Sequence, residues 1–202
     1  MRDTVYFLVF DGFADWQAAL ALCEVRRPGD WRVATVGFTR APVRSMGGLM
    51  VQPELSVSEL ELARAALAIV PGGHLWQRGE GAAAVAALRE LRRAGSMVAG
   101  IDSGVLALAR AGLLDQCRHT GNWAGHIAAQ VPGYTGSADY DASVLAASDG
   151  GIITASHLGS VEFAREVIHA LDLYGPGDRE HWYRLFKHAQ LPPWCVGEAV
   201  AA

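Results

Sequence analysis

Cysteine is scarce in this chain. Three thiols, Cys23, Cys117 and Cys195, stand among 202 residues with no CxxC spacing, and they cannot all pair. A disulfide scaffold is therefore excluded, and a reduced, cytoplasmic setting is expected. Basic charge is also thin. Seventeen Lys and Arg face 21 Asp and Glu, for a net charge of −4. The Arg26-Arg27 and Arg92-Arg93 pairs fall at helix ends, where they complement the helix dipole. Without a basic stripe or an RNP-like aromatic pattern, nucleic acid is not an expected partner. No apolar run approaches the ~18 residues of a membrane span, so no membrane partner is expected. The opening "MRDTVYFLVF" runs straight into a strand, without the layout of a secretory leader. The seven histidines show neither HExxH nor HxH spacing, so no metal centre is expected, and no other cofactor.

What the chain does have is apolar residues, 51% of the total, in alternating strand and helix patterns. Thr4–Phe10 reads as a strand buried on both faces. "WQAALALCEVRR" reads as a helix whose apolar face carries Trp16, Ala19, Leu20 and Cys23, which puts Cys23 in the core. Trp31–Gly37 is the next strand, completing a right-handed β-α-β unit. Val43–Pro53 reads as a hairpin about Gly47-Gly48, and Val57–Ala63 as a short acidic helix. "ALAIVPGG" and "SMVAGI" are strands, with the helix of "AAAVAALRELRRAG" between them. "SGVLALARAGLL" is the following helix, and Thr120 to about Val131 holds an extended piece and a helix. "SVLAASDGGIITAS" is a hairpin turning at Asp149-Gly150-Gly151. A helix with Ser160 as N-cap and Glu162 in its first turn comes next, then "DREHWYRLFKHAQ", stopped by Pro192-Pro193. The pattern predicts one α/β domain over 1–202, a three-layer sandwich on a mostly parallel sheet with a small β-hairpin; 191–202 read as a C-terminal tail.

Ligands of such sheets bind beyond the carboxyl ends of the strands. The segments there are Asp11–Gln17, Pro71–Gln77, Asp102–Gly104 and the loop around His119–Trp123. In "AGIDSG" the Gly100-x-Asp102-x-Gly104 spacing matches a nucleophile elbow, a sharp strand-to-helix turn with its functional residue at the tip. The tip is a carboxylate, at a helix N-terminus that favours negative charge. The plain alternative is an Asp N-cap at an ordinary turn. Pro71-Gly72-Gly73 follows a strand, and the Gly73 and Ser103 N–H groups are placed to form an oxyanion hole beside Asp102. Gln17, one turn into the first helix, is placed to reach the sheet edge. His74, Trp16, Trp76, Asn122, Trp123, His119 and His157 are candidates to line a substrate pocket, although each alone is more often structural.

Taken together, "PGG", "AGIDSGVLALARAGLL", "RHTGN", "GGIITASHLGSVEFAREVIHAL" and "LVFDGFADWQAALAL" resemble the ThiJ/PfpI superfamily, of class I glutamine amidotransferase-like fold. The resemblance spans about Val5 to Phe186. It implies a flavodoxin-like α/β/α sandwich, often a homodimer, among deglycases or glyoxalase-like enzymes, isonitrile hydratases, peptidases, chaperones and sensors. It also implies a Cys at the position of Asp102, a Glu or Asp at that of Gln17, a His at that of Ser103 and another at that of Asn122. All four differ here, which argues against peptidase, amidotransferase and thiol-dependent glyoxalase chemistry.

Two of the changes fit each other. Two facing carboxylates would repel, whereas an amide N–H donates to an ionised Asp102. The expected function is a cysteine-independent hydratase, hydrolase or lyase acting on a small polar molecule. Asp102 would be its general base or nucleophile and Gln17 would orient it. The alternative is a non-catalytic small-molecule binding or sensor protein. A homodimer is expected from the family resemblance and from the apolar, Gly-rich hairpin near Met46–Val51.

Overall fold

Segments rich in β-branched residues alternate with Ala- and Leu-rich helices, and a parallel sheet is the arrangement that buries both. The computed structural model describes residues 2–196. The chain forms β1 (Thr4–Leu8), α1 (Asp15–Arg26), β2 (Arg32–Gly37), β3 (Val43–Arg44), β4 (Met50–Val51) and β5 (Leu55–Ser56). It continues through β6 (Ala65–Val70), α2 (His74–Gln77), α3 (Ala82–Arg93), β7 (Met97–Ile101), α4 (Gly104–Arg110) and α5 (His126–Gln130). The remaining elements are β8 (Ala146–Asp149), β9 (Ile152–Ala155), α6 (Ser160–Ala170), α7 (Pro176–His188) and α8 (Pro193–Val196).

Seven strands make one sheet in the order β5-β2-β1-β6-β7-β9-β8, while β3 and β4 pair as a separate antiparallel hairpin. All neighbours in the large sheet are parallel except β8 with β9, with Val5 beside Val33 and Leu67, and Ala99 beside Ile69 and Ile153. Helix α1 packs on α6 and α6 on α7, whereas α3 packs on α4 and α4 on α5. These two groups cover opposite faces of the sheet, as right-handed crossovers running to opposite sides of β1 require. Leu67, Ile69, Val98, Ile101 and Ile153 are fully buried between them. This is a flavodoxin-like α/β fold. No helix among the described residues is long and apolar enough to cross a membrane.

The order of strands positions the site. The chain leaves β1 toward β2 and returns to β6 on the other side of β1, so the sheet switches direction between β1 and β6. A crevice opens at such a switch, beyond the carboxyl ends of the strands. Strands β1, β6, β7 and β9 are adjacent and parallel, and they deliver their following loops to that one edge.

Several sequence expectations are corrected. In α1 the buried residues are Gln17, Ala18, Ala21, Glu24 and Val25, while Trp16, Ala19 and Cys23 are exposed. The helix is rotated because two polar residues find partners inside. Gln17 reaches the sheet edge, and Glu24 meets Arg27 and the Tyr174 hydroxyl at 2.9 and 2.7 Å. The acidic helix at Val57–Ala63 is only a 3-10 turn, Val57–Glu59, whose Glu59 side chain accepts from the Ser56 N–H at its start and pairs with Arg40. Helix α6 begins after Gly159 with no side-chain cap, so Ser160 is its first residue and not its N-cap. Within the tail expected at 191–202, Pro193–Val196 are helical and 197–202 lie outside the described residues.

Candidate active site

The Asp102 backbone is held at φ 58°, the left-handed region, which Asp tolerates better than most residues. Its N–H donates to the Ala155 carbonyl at 2.9 Å, and its own carbonyl accepts from Val105 N–H at 3.2 Å. The turn is therefore tied to β9 on one side and to α4 on the other. Tight packing of the elbow requires glycine at 104, where a Cβ would lie 2.3 Å from the Val70 carbonyl oxygen. A left-handed non-glycine residue costs on the order of 1 kcal/mol, and such strain collects at functional turns.

Both carboxylate oxygens of Asp102 accept from primary amides. Gln17 Nε2 donates to Oδ2 at 2.8 Å, and Asn122 Nδ2 donates to Oδ1 at 2.6 Å. Each amide is oriented by a backbone donor at its other end. Gly72 N–H donates to Gln17 Oε1 at 2.7 Å, and His157 N–H donates to Asn122 Oδ1 at 3.0 Å. His157 Nδ1 lies 3.1 Å from the same Asn122 oxygen, which selects the tautomer with hydrogen on Nδ1. Since a backbone N–H can only donate, neither amide can turn over without leaving two donors facing each other. The pocket therefore fits a carboxylate. A carboxylic acid O–H would find no acceptor in either amide.

Gln17 is buried, Asp102 and Asn122 are half-buried, and His157 is exposed. Glycine at 72 is a steric requirement of this clamp: a Cβ there would lie 2.3 Å from Asp102 Oδ2 and 2.8 Å from Gln17 Oε1.

The expected oxyanion hole is not assembled. Gly73 N–H donates to the Ser103 side-chain oxygen at 2.9 Å, and that hydroxyl donates back to the Gly73 carbonyl at 3.1 Å. Of the expected pair, only the Ser103 N–H is left without an acceptor among the described residues.

The other candidates divide. Trp76 is fully buried, donates to the Pro71 carbonyl and packs edge-on against Phe10, so it belongs to the core. His119 is fully buried between the rings of Tyr134 and Tyr140, with its nitrogens on the Cys117 carbonyl and the Tyr134 hydroxyl. It is a buried structural residue. His74 is exposed and pairs with Gln77 one turn on. Trp16 and Trp123 are 52% and 57% exposed.

Two residues at the site had no role in the sequence reading. Gly72, named there only as part of the Pro71-Gly72-Gly73 turn, orients Gln17, as above. His126 is buried against the Trp123 ring, 4.0 Å between centroids, and its Nε2 has no partner among the described residues. Burial lowers the affinity of His126 for a proton, while the nearby Asp102 charge works the other way. Nothing in "NWAGHIAAQ" distinguishes that ring from any other helical histidine.

The thiols lie elsewhere. Cys117 donates to the Leu113 carbonyl, and burial, with Asp149 adding to it, pushes it up to about 11. Cys23 and Cys195 are exposed on α1 and α8. No group of three or more His, Cys, Asp or Glu among the described residues could hold a metal ion.

Residues 3–170 match the profile of the DJ-1/PfpI family. The chain is 30% identical over 190 residues to "Uncharacterized protease YoaZ" of Bacillus subtilis (strain 168), a match covering 91% of this chain and 90% of that protein. Among solved structures it resembles the DJ-1 superfamily protein Atu0886 from Agrobacterium tumefaciens, with a TM-score of 0.85 and 30% identity. That match covers 93% of this chain and 100% of the other. It also resembles a thiJ/pfpI family protein from Bacillus anthracis, with a TM-score of 0.87 and 28% identity over 94% of this chain and 93% of the other.

Proposed function

The chain belongs to the DJ-1/PfpI family, and on that premise we propose that it is a hydrolase- or lyase-type enzyme acting on a small polar molecule through a carboxylate instead of a thiol. Asp102 is the reacting group, and Gln17 and Asn122 hold it. The observation that carries this reading is the pair of amides, each locked by a backbone N–H and each donating to one oxygen of Asp102. Fixed donors around a half-buried charge at the carboxyl ends of the strands are what a positioned reacting group needs.

Asp102 acts as a general base. Proton abstraction uses a lone pair that the two amide donors leave open, so both hydrogen bonds persist through the step. The acid O–H finds no acceptor in either amide, so the proton moves on within the turnover. That suits hydration, elimination or proton relocation, with the exposed His157 ring placed beside the clamp to exchange the proton. The word protease in the name of the Bacillus subtilis relative belongs to that protein. Cysteine-dependent peptide cleavage is no part of this proposal, because the elbow holds no thiol. The test is Asp102→Asn at preserved fold, assayed on substrates found by screening small polar compounds. A loss of about 10²–10⁴ in kcat is expected, and near-native turnover would overturn the assignment.

One observation favours a second reading, a binding or sensor protein on the same fold. Gly73 N–H is taken by Ser103 Oγ, so the groups that would stabilise a developing oxyanion are incomplete. A saturable ligand with no chemical change would support it.

We also propose a homodimer in which a second copy covers Trp16 with Met46, Leu49 and Met50 of the hairpin, all at least half exposed. Light scattering is its test, and a monomer at micromolar concentration would contradict it.

A further inference from the structure

Asp102 forms no ion pair among the described residues. Its two donors are neutral amides. Two more carboxylates stand in the loop and first turn after β1, at the same edge of the sheet. Asp11 accepts from Arg44 backbone N–H at 2.8 Å, and Asp15 from the Ser45 hydroxyl at 2.6 Å. None of the ion pairs among the described residues includes Asp11, Asp15 or Asp102.

The histidines do not supply the missing charge to Asp102 directly. His157 Nδ1 is turned to Asn122, and burial of His126 favours its neutral ring. Around the same loops, large apolar side chains are exposed. Trp123 directly follows the Asn122 that holds Asp102, and Leu158 directly follows the His157 that holds Asn122; they are 57% and 70% exposed. The Trp123 ring lies 4.0 Å from that of His126, which is near enough to Asp102 to feel its charge. An aromatic face in the neighbourhood of a carboxylate is a favourable seat for a cation, because the ring quadrupole and the carboxylate attract it together. An anion there is repelled, and a neutral ligand leaves the charge uncompensated.

We propose that the Asp102 site takes a ligand with a positively charged nitrogen, an ammonium, amidinium or guanidinium group, attached to an apolar or aromatic body. This rests on the reading of Asp102 as the centre of the site. It adds the class of ligand, which neither the fold nor the family match supplies. The cationic head meets the open side of the Asp102 carboxylate, and the body lies on Trp123.

The test compares three probes of one shape on the full chain: benzylammonium, benzyl alcohol and benzoate. Binding is read from the NMR signals of the Gln17 and Asn122 side-chain amides, which sit on the carboxylate itself. Benzylammonium is expected to shift both signals saturably and to bind about tenfold or more tighter than benzyl alcohol, with benzoate weakest. Asp102→Asn is expected to flatten that order. Should that variant not fold, Trp123→Ala is the control: it weakens benzylammonium and benzyl alcohol together and keeps their order. Equal binding of the three probes, preference for benzoate, or shifts confined to other parts of the chain would overturn the proposal. Charge preference is read without turnover. A protein that prefers benzylammonium but converts nothing would refute the catalytic reading and leave this one standing.

Discussion

Replacing Gln17 by Glu changes one donor in the clamp into a second carboxyl group. In the native chain Gln17 Nε2 lies 2.8 Å from Asp102 Oδ2. Two full negative charges at that separation would repel by about 6 kcal/mol at an effective dielectric of ~20. The pair avoids that by keeping one proton between its oxygens. The geometry accommodates this, since the other oxygen of the new carboxyl still accepts from Gly72 N–H. Gln17→Glu therefore creates a group that holds its proton well above the ordinary carboxylate range in the folded state and not in the unfolded state. Such a group contributes stability below its unfolded value, and the contribution is lost as pH rises through the folded value. With a rise of two to three units, Gln17→Glu should lose about 3–4 kcal/mol relative to the native chain between roughly pH 4 and 7, at about 1.4 kcal/mol per unit. Urea unfolding of both proteins across that range measures it. A constant difference between them at every pH would refute the reasoning, because it would mean that the two side chains do not share a proton.

Three further outcomes follow from the same contacts. Gly72→Ala places a Cβ where Asp102 Oδ2 lies, so it should cost about 3 kcal/mol in stability and displace the Gln17 amide signals; a native-like Tm would contradict the close approach. Asn122→Ala leaves the His157 N–H without an acceptor and one carboxylate oxygen without a donor, and should cost about 1–3 kcal/mol by thermal or urea unfolding. Because folding lowers the proton affinity of His126, its contribution is present above the ordinary histidine range and fades as pH falls through it. His126→Phe should accordingly flatten the dependence of stability on pH between about 5 and 7.5, and an unchanged slope would place the titration elsewhere.

Local chain geometry disclosed the elbow, a strand followed by small residues and a helix with Asp102 at its tip, and placed Gln17 at the same sheet edge; the pairing of Gln17 with Asp102 came from the family resemblance. What failed was whatever depends on rotation or on distant packing. The apolar spacing of Trp16, Ala19 and Cys23 suggested a buried face, but Gln17 and Glu24 carry internal partners and turn α1 the other way. His119 and Trp76 stand in segments that read as loops, yet both are core residues, because each finds hydrogen-bond acceptors beneath the surface. The Ser103 hydroxyl takes the Gly73 N–H through a side-chain rotamer that no linear pattern encodes. His126 was invisible for the same reason: its ring matters only because the loop after Asn122 folds back beside Asp102.

The central claim is that two amides, each pinned by a backbone N–H, hold an ionised Asp102. The most direct measurement is the NMR spectrum of the Gln17 and Asn122 side-chain amides in the native chain and in Asp102→Asn. The clamp predicts one strongly hydrogen-bonded, slowly exchanging proton from each amide in the native chain. At least one of the two should be lost in the variant, where one acceptor oxygen is replaced by an NH₂ that faces the donor of its amide. Amide signals that are ordinary in the native chain, or unchanged by the substitution, would contradict it.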